Sequence, residues 1–211
     1  DTMENVVTSL DFERLLCATG PHEGEVLRPS DKKHPHKIAW IQCVGSRQVI
    51  PGGNTYCSSV CCTYTQKQVI LTKDHDPEAE CTIFHNDIRS YGKDFEPFFQ
   101  RTEQLDGVRV IRSYVTVGKE IPESKNVTIK YATADDGVKE EEFDMVVLSV
   151  GLNPPADAKN LADQFDIELE PDLEERGASV RRELFGDRPV WIAASTHDGE
   201  ESQVLAAHEQ L

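Results

Sequence analysis

Several features that would place this chain of 211 residues in a common functional class are missing. No run of eighteen apolar residues occurs, so the sequence contains no candidate membrane span. The formal net charge is −16 and no basic stripe is present, which argues against nucleic acid as a partner. Neither Gly-x-Ser-x-Gly nor His-Glu-x-x-His occurs, so no hydrolase elbow or zinc-protease helix is indicated. No secretory signal is recognisable, and we therefore expect a reducing compartment, the cytoplasm.

The glycine fingerprint of dinucleotide-binding domains, Gly-x-Gly-x-x-Gly, is also absent. In such domains these glycines let the backbone approach a pyrophosphate at a helix N-terminus. The first strand-to-helix connection of this chain carries cysteines instead, and its Gly52-Gly53 pair is more typical of a simple turn. We interpret this connection as a turn that holds a metal cluster at the position where related folds bind a nucleotide.

Four of the six cysteines occur in two groups, Cys43 after the apolar run 37–42 and Cys57, Cys61 and Cys62 after the turn that follows it. We predict a helix from about Cys57 to Lys73, which would place Cys57 and Cys61 on one side and Cys62 about 100° around. Cys43 would arrive from the preceding strand. Four thiolates around one point are typical of a cubane iron–sulfur cluster, and adjacent cysteines are unusual in zinc knuckles.

Two other functions remain open from the residues alone. Cys57 and Cys61 could form the redox dithiol of a thiol–disulfide oxidoreductase. Alternatively, the four cysteines could hold structural zinc in an interaction domain without a redox role. Cys17 and Cys81 are predicted to be ordinary buried core residues.

Other chemistry-bearing residues do not form a competing pattern. The histidines His34, His36, His75 and His85 are scattered, so each is expected to be a capping or surface residue. Arg89 and Lys93 follow a predicted strand, where surface ion pairing is the expected role.

The order of apolar patterns predicts an α/β fold. Thr8-Ser-Leu-Asp11 resembles a capping box that begins a helix at 11–17. Strands are expected at 37–42, 79–84, 108–114 and 145–150, and a further helix at 94–104. Two successive β-α-β units imply parallel strands, and 126–133 with 138–143 alternate around Asp135-Asp136-Gly137 as a hairpin does. The prediction is a Rossmann-like three-layer domain with a β-hairpin excursion.

At its cysteine motifs the chain resembles the HdrA family, the flavin-containing and iron–sulfur-containing component of heterodisulfide reductase, and its bacterial relatives. The resemblance extends from about Thr8 to the end. It rests on Ile41-Gln-Cys-Val-Gly-Ser-Arg47, Tyr56-Cys-Ser-Ser-Val-Cys-Cys62, Thr82-Ile-Phe with Asp87-Ile-Arg89, and Val146-Val-Leu-Ser-Val-Gly151.

The resemblance implies a component of an oxidoreductase. The implied protein is a flavoprotein with FAD and several iron–sulfur clusters, whose domain resembles the pyridine-nucleotide domain of thioredoxin reductase. In methanogens the family takes part in flavin-based electron bifurcation. It passes electrons toward partners that reduce the mixed disulfide of coenzymes M and B.

The resemblance further implies that Cys43, Cys57, Cys61 and Cys62 are the ligands of one 4Fe-4S cluster, which relays electrons to or from FAD and partner subunits. It points to no catalytic residue within this chain. The implied partners are the other redox subunits of a heterodisulfide-reductase-like complex, and a homodimer is left open.

Parts of the family pattern are absent, so the chain is expected to be a piece of a longer polypeptide. Neither the FAD-binding glycine motif nor a ferredoxin-type cysteine run occurs. The expected organisation is an N-terminal helix and arm at 1–36, the cluster domain at 37–152 and a segment returning to the flavin domain at 153–211. Asp187 to Ser195 resembles a strand that touches FAD, but Ala194 replaces the usual glycine. We therefore do not expect this chain alone to bind FAD tightly.

Overall fold

The computed structural model describes residues 3–133 and 137–166, together with Ser179, Arg182, Glu183 and Gly186. Its helices and strands in chain order are β1 (Val6–Thr8), α1 (Ser9–Leu16), β2 (Lys37–Val44), α2 (Cys61–His75), β3 (Glu80–His85), α3 (Phe95–Glu103), β4 (Val108–Arg112), β5 (Val115–Glu120), β6 (Val127–Thr133), β7 (Gly137–Phe143), β8 (Met145–Val150) and α4 (Ala158–Gln164).

The chain divides into two compact units, Asp1–Asn153 and Pro154–Leu211. The first unit includes residues 1–36, which the sequence pattern had separated as a helix and an arm. Helix α4 belongs to the second unit, and the predicted strand at 187–195 lies outside the described residues. None of the helices in the described ranges is long and apolar enough to cross a membrane.

Five parallel strands form the central sheet in the order β1-β8-β2-β3-β4. Strand β2 pairs with β3 on one side and with β8 on the other, so that Ile38 lies opposite both Cys81 and Met145. Residues 38–43 of β2 are all buried, as expected for a parallel strand covered on both faces. The predicted α/β, Rossmann-like fold is confirmed.

Helices cover one face of this sheet, and the antiparallel sheet β5-β6-β7 covers the other. On the helix face, the Phe12 ring of α1 meets the Trp40 ring of β2 edge to face, with centroids 5.3 Å apart. On the opposite face, Phe84 of β3 packs against Tyr131 and Phe143 of the antiparallel sheet. Burial of such a side chain contributes about 1.5–3 kcal/mol, so both layers are held firmly against the central sheet.

Several predicted elements match the structure closely. Strand β8 occupies the predicted range, and β6 and β7 form the predicted hairpin, whose tip at 134–136 lies outside the described residues. At the start of α1, the Thr8 hydroxyl accepts the N–H of Asp11 at 3.2 Å, and the Asp11 carboxylate accepts the N–H of Thr8 at 3.2 Å. The predicted capping box is therefore present.

The strands at two edges differ from the prediction. Strand β1 was not predicted because three residues are too few to show a period, and it forms by pairing with β8. The strand expected at 108–114 ends at Arg112, and β5 begins at Val115 as an additional antiparallel strand.

The predicted start of the cysteine helix is wrong. Helix α2 begins at Cys61, four residues after Cys57. Ser59 adopts a φ of 63°, a left-handed conformation that a right-handed helix cannot include. Cys57 therefore belongs to the preceding loop, and the expected alignment of Cys57 with Cys61 along one helix face does not occur.

The cysteines outside the two groups have different environments. Cys81 is fully buried in β3, as predicted. The prediction that Cys17 is a core residue is wrong, because its side chain is exposed. Helix α1 ends at Leu16, so the chain has already turned away from the core when it reaches Cys17.

Candidate metal centre

Cys43 leaves the end of β2 through an irregularity in the strand. The register of β2 against β8 shifts between Ile41 and Val44, and Cys43 has a left-handed φ of 62°. This conformation costs a residue with a Cβ about 1–2 kcal/mol. A bulge changes the direction of the side chain that it carries. The Cys43 side chain is directed inward here, because the residue is only 8% exposed. The strained residue at this irregularity thus has its thiol inside the protein.

The loop after β2 folds back on itself and returns the chain to the end of that strand. The N–H of Asn54 donates to the carbonyl of Gly45 at 2.9 Å, and the N–H of Arg47 donates to the carbonyl of Tyr56 at 3.0 Å. These bonds connect the two arms of the loop. Cys57, which follows directly, is thereby brought close to the strand end that carries Cys43.

Two serines fasten this loop to the end of β8. The hydroxyl oxygens of Ser46 and Ser58 lie 2.9 Å apart, and Ser58 Oγ also accepts the N–H of Leu152 at 2.8 Å. A Cβ on Gly151 would overlap both hydroxyl groups. The missing side chain at Gly151 therefore permits the close approach of β8 to the loop.

Cys61 and Cys62 are the first two residues of α2, and both are buried. The unpaired N–H groups and the dipole at a helix N-terminus favour negative charge. Further backbone donors reach the sulfurs directly: the N–H of Arg89 lies 3.3 Å from Cys62 Sγ, and the N–H of Ser59 lies 3.4 Å from Cys57 Sγ. The surroundings thus suit thiolates that are bound to a cation.

The four cysteines of the two groups line one small cavity. Its volume is about 10 Å³, which is room for roughly one water molecule. The strand end, the loop and the helix start each contribute sulfur atoms, although Cys57 comes from the loop and not from a helix.

The described residues contain no group of three or more His, Cys, Asp or Glu side chains that is already arranged to hold a metal ion. Thiolates that share one zinc ion lie within about 4 Å of each other, because a Zn–S bond is about 2.3 Å long. The ligands of a cubane cluster each bind a different iron atom. Four thiols around one cavity, three of them buried, fit the donor chemistry of an iron–sulfur cluster, and their role as ligands stays a prediction.

Burial disfavours the thiolate form of three of these cysteines. It raises the pKa of Cys43, Cys61 and Cys62, that of Cys62 to about 11, and repulsion between the thiolates adds to the rise. Metal binding must therefore displace protons. A thiol–disulfide enzyme needs an attacking thiol of lowered pKa, and the pKa of Cys61 is raised, so Cys61 does not have the property of an attacking thiol.

An ion-pair network borders the same cavity. Arg47 Nη1 donates to one carboxylate oxygen of Asp87, and Arg89 Nε donates to the other at 3.3 Å. The predicted surface ion pairing of Arg89 is thus present, but it lies at the cysteine cavity. Sequence reasoning missed the roles of Arg47 and Asp87. The available signal was that both belong to the motifs that carry the family resemblance.

The histidines lie elsewhere. His34 and His75 line a separate cavity at the opposite end of β2, beside Ile38. His75 Nδ1 lies 2.9 Å from the carbonyl oxygen of Gly24. Within the described part of the chain, no histidine lines the cysteine cavity.

Comparison with curated proteins gives extensive similarity to one group, the HdrA components of heterodisulfide reductases. The chain is 43% identical over 170 residues to the iron–sulfur HdrA component of the CoB–CoM heterodisulfide reductase of Methanocaldococcus jannaschii, in a match that covers 80% of this chain and 26% of the relative. It is 41% identical over 183 residues to the corresponding component of the H(2):CoB–CoM heterodisulfide,ferredoxin reductase of Methanothermobacter marburgensis, covering 80% and 27%. A third relative, from the ferredoxin/F(420)H(2)-dependent CoB–CoM heterodisulfide reductase of Methanosarcina acetivorans, is 36% identical over 168 residues, covering 80% and 21%.

The chain therefore spans about a quarter of the length of the curated relatives it matches. No protein-family model matches the sequence.

Proposed function

Because this chain belongs to the HdrA family of heterodisulfide reductase components, over the segment that it matches, we propose that it is an electron-transfer module of such an oxidoreductase. In this proposal Cys43, Cys57, Cys61 and Cys62 hold one 4Fe-4S cluster. The relatives are named as iron–sulfur subunits and as heterodisulfide reductases. Extension of that chemistry to this chain is part of the proposal.

The observation that supports the assignment best is the convergence of four thiols on one cavity. Three separate parts of the chain bring them there, and the strained backbone at Cys43 and the glycine at position 151 both serve this approach. Thiolates collected around one cavity repel each other, so the four cysteines can be ionised together only if a cation is bound between them. A bound cationic core removes that repulsion.

The cluster supplies one-electron redox chemistry when it is bound. The chain's own residues do the rest. The four thiols release their protons on binding, and the N–H groups of Ser59 and Arg89 donate to sulfur. The burial of Cys61 and Cys62 limits the access of water to the site. Hydrogen bonds to sulfur and exclusion of water are both means by which a protein sets a reduction potential.

We further propose that electrons pass between this site and FAD in the longer protein, and onward to partner redox subunits. The segment expected to approach FAD, 187–195, lies outside the described residues, so no FAD contact is assigned to this chain. The open edge at the carboxyl ends of the parallel strands is where α/β sheets receive a second cofactor or partner.

The test is the iron and acid-labile sulfide content of the chain after anaerobic purification or reconstitution. Wild type is compared with Cys61→Ala, and Cys17→Ala serves as the matched control because Cys17 is exposed outside the cavity. We expect about four irons per chain and a broad absorbance near 400 nm in wild type and in the control. Both should be lost in Cys61→Ala.

Wild type without iron would contradict the proposal, and so would either of two further results. Stoichiometric zinc in a colourless protein would indicate a zinc-stabilised domain. Iron that persists unchanged in Cys61→Ala would show that the four cysteines are not the ligands.

A further inference from the structure

Three charged side chains border the cysteine cavity: Arg47, Asp87 and Arg89. Arg47 follows β2, and the other two follow β3. The Arg47 side chain is 25% exposed, Asp87 42% and Arg89 40%. The effective dielectric constant is lower around partly buried charges than on the open surface. The electrostatic effect of these charges on the cavity is therefore larger.

The contacts tie both guanidinium groups to Asp87 at the edge of the cavity. Asp87 accepts a hydrogen bond from Arg47 on one carboxylate oxygen and from Arg89 on the other. Arg47 also interacts with the Cys43 thiol, where it opposes the effect of burial on the pKa. The backbone N–H of Arg89 donates to Cys62 Sγ.

The charges do not cancel. One carboxylate faces two guanidinium groups, so the network adds one net positive charge at the cavity. This contrasts with the chain as a whole, whose formal net charge is −16. Asp87 holds the two cations in place because each of its oxygens is engaged.

We propose that Arg47 and Arg89 are positioning residues that raise the reduction potential of the group bound by the four cysteines. This inference rests on the proposed function. Reduction adds one electron and makes the site one charge more negative, with no bond formed or broken. The two guanidinium groups stabilise that added charge, so they favour the reduced form over the oxidised form.

The experiment is a redox titration of the reconstituted chain, followed by its visible absorbance. Arg47→Gln and Arg89→Gln each remove one positive charge. Arg101→Gln removes the same charge from α3, where Arg101 lies 5.6 Å from the Phe98 ring and does not line the cysteine cavity, and it is the matched control. Arg47→Lys keeps the positive charge but replaces the planar guanidinium group by a single ammonium group.

We expect Arg47→Gln to favour the oxidised form by about tenfold, which lowers the potential by about 59 mV for one electron. The more exposed Arg89 should give a smaller shift in the same direction. Arg47→Lys should stay close to wild type, and Arg101→Gln should match wild type.

Potentials that are equal in wild type and both Gln variants would overturn the inference. So would an Arg47→Lys shift as large as that of Arg47→Gln, because packing and not charge would then be responsible. The iron content shows whether a negative result refutes the proposed function or only the role of the arginines. Wild type without iron refutes the cluster itself, whereas full iron with unchanged potentials refutes only the role of the arginines.

Discussion

Glu141 on β7 connects the antiparallel sheet to the central sheet. Its carboxylate accepts hydrogen bonds from Lys37 Nζ at 2.6 Å, Arg109 Nη2 at 2.7 Å and the hydroxyl of Tyr131 at 2.8 Å. Burial by itself raises the pKa of Glu141, but these partners outweigh it and lower the pKa from 4.5 to about 2. We therefore predict that Glu141→Gln destabilises the chain at neutral pH.

The magnitude follows from the change in pKa. Each pKa unit is worth about 1.4 kcal/mol, so the shift sets an upper limit of about 3 kcal/mol. The Glu141 side chain is 17% exposed and that of Arg109 is 41% exposed, so solvent screens part of the interaction. We expect a loss of about 1–2 kcal/mol in the free energy of unfolding at pH 7.

The pH dependence has a definite sign. The pKa of Glu141 is lower in the folded chain than in the unfolded chain, so its stabilisation is complete above the unfolded value of 4.5. It is lost as the pH falls toward 2. The difference between wild type and Glu141→Gln should therefore shrink to less than about half of its full value at pH 3.

The assay is urea unfolding followed by far-UV circular dichroism at pH 7, 5 and 3. Glu140→Gln is the matched control, because Glu140 is the neighbouring residue on β7 and its pair with Lys130 is half exposed. It should change stability by less than about 0.5 kcal/mol. A Glu141→Gln difference that is as large at pH 3 as at pH 7 would refute the reasoning.

Two further predictions concern the cysteines outside the cavity and the glycine beside it. Cys81→Ser buries a hydroxyl among apolar neighbours and should cost about 1–3 kcal/mol, whereas Cys17→Ser at an exposed position should cost less than about 0.5 kcal/mol; thermal unfolding distinguishes them. Equal losses would contradict the assigned burial. Gly151→Ala should cost about 1–3 kcal/mol through overlap with Ser46, and adding Ser46→Ala should recover part of this loss in urea unfolding. If the double variant is no better than the single one, overlap with that hydroxyl is not the cause.

Much of the architecture could be predicted because strong local patterns agree with the tertiary contacts. The apolar run at 145–150 became β8 at its predicted bounds, and the alternating segments around Gly137 became the hairpin. Strand β1 could not be predicted from its three residues. It exists because β8 offers an edge with unpaired backbone groups, and this edge is a property of the folded sheet.

In the candidate site, too, the sequence predicted some features, and others depended on the folded chain. The spacing of the cysteines indicated a common site, but it placed Cys57 on a helix. The left-handed backbone at Ser59 and the hydrogen bonds that fold the loop decided otherwise. Arg47 and Asp87 are forty positions apart, and no periodicity in the sequence could show that they form an ion pair beside the thiols.

By itself, the sequence determined the fold class, the residues that could serve as thiol ligands and the family resemblance. These depend on local periodicity and on residue chemistry, which remain visible in an unfolded chain. Only the tertiary structure decided that four thiols line one cavity, that burial raises the pKa of three of them, and that two arginines stand beside them. Distance, solvent access and electric field depend on segments far apart in the chain, and they exist only after those segments have packed together.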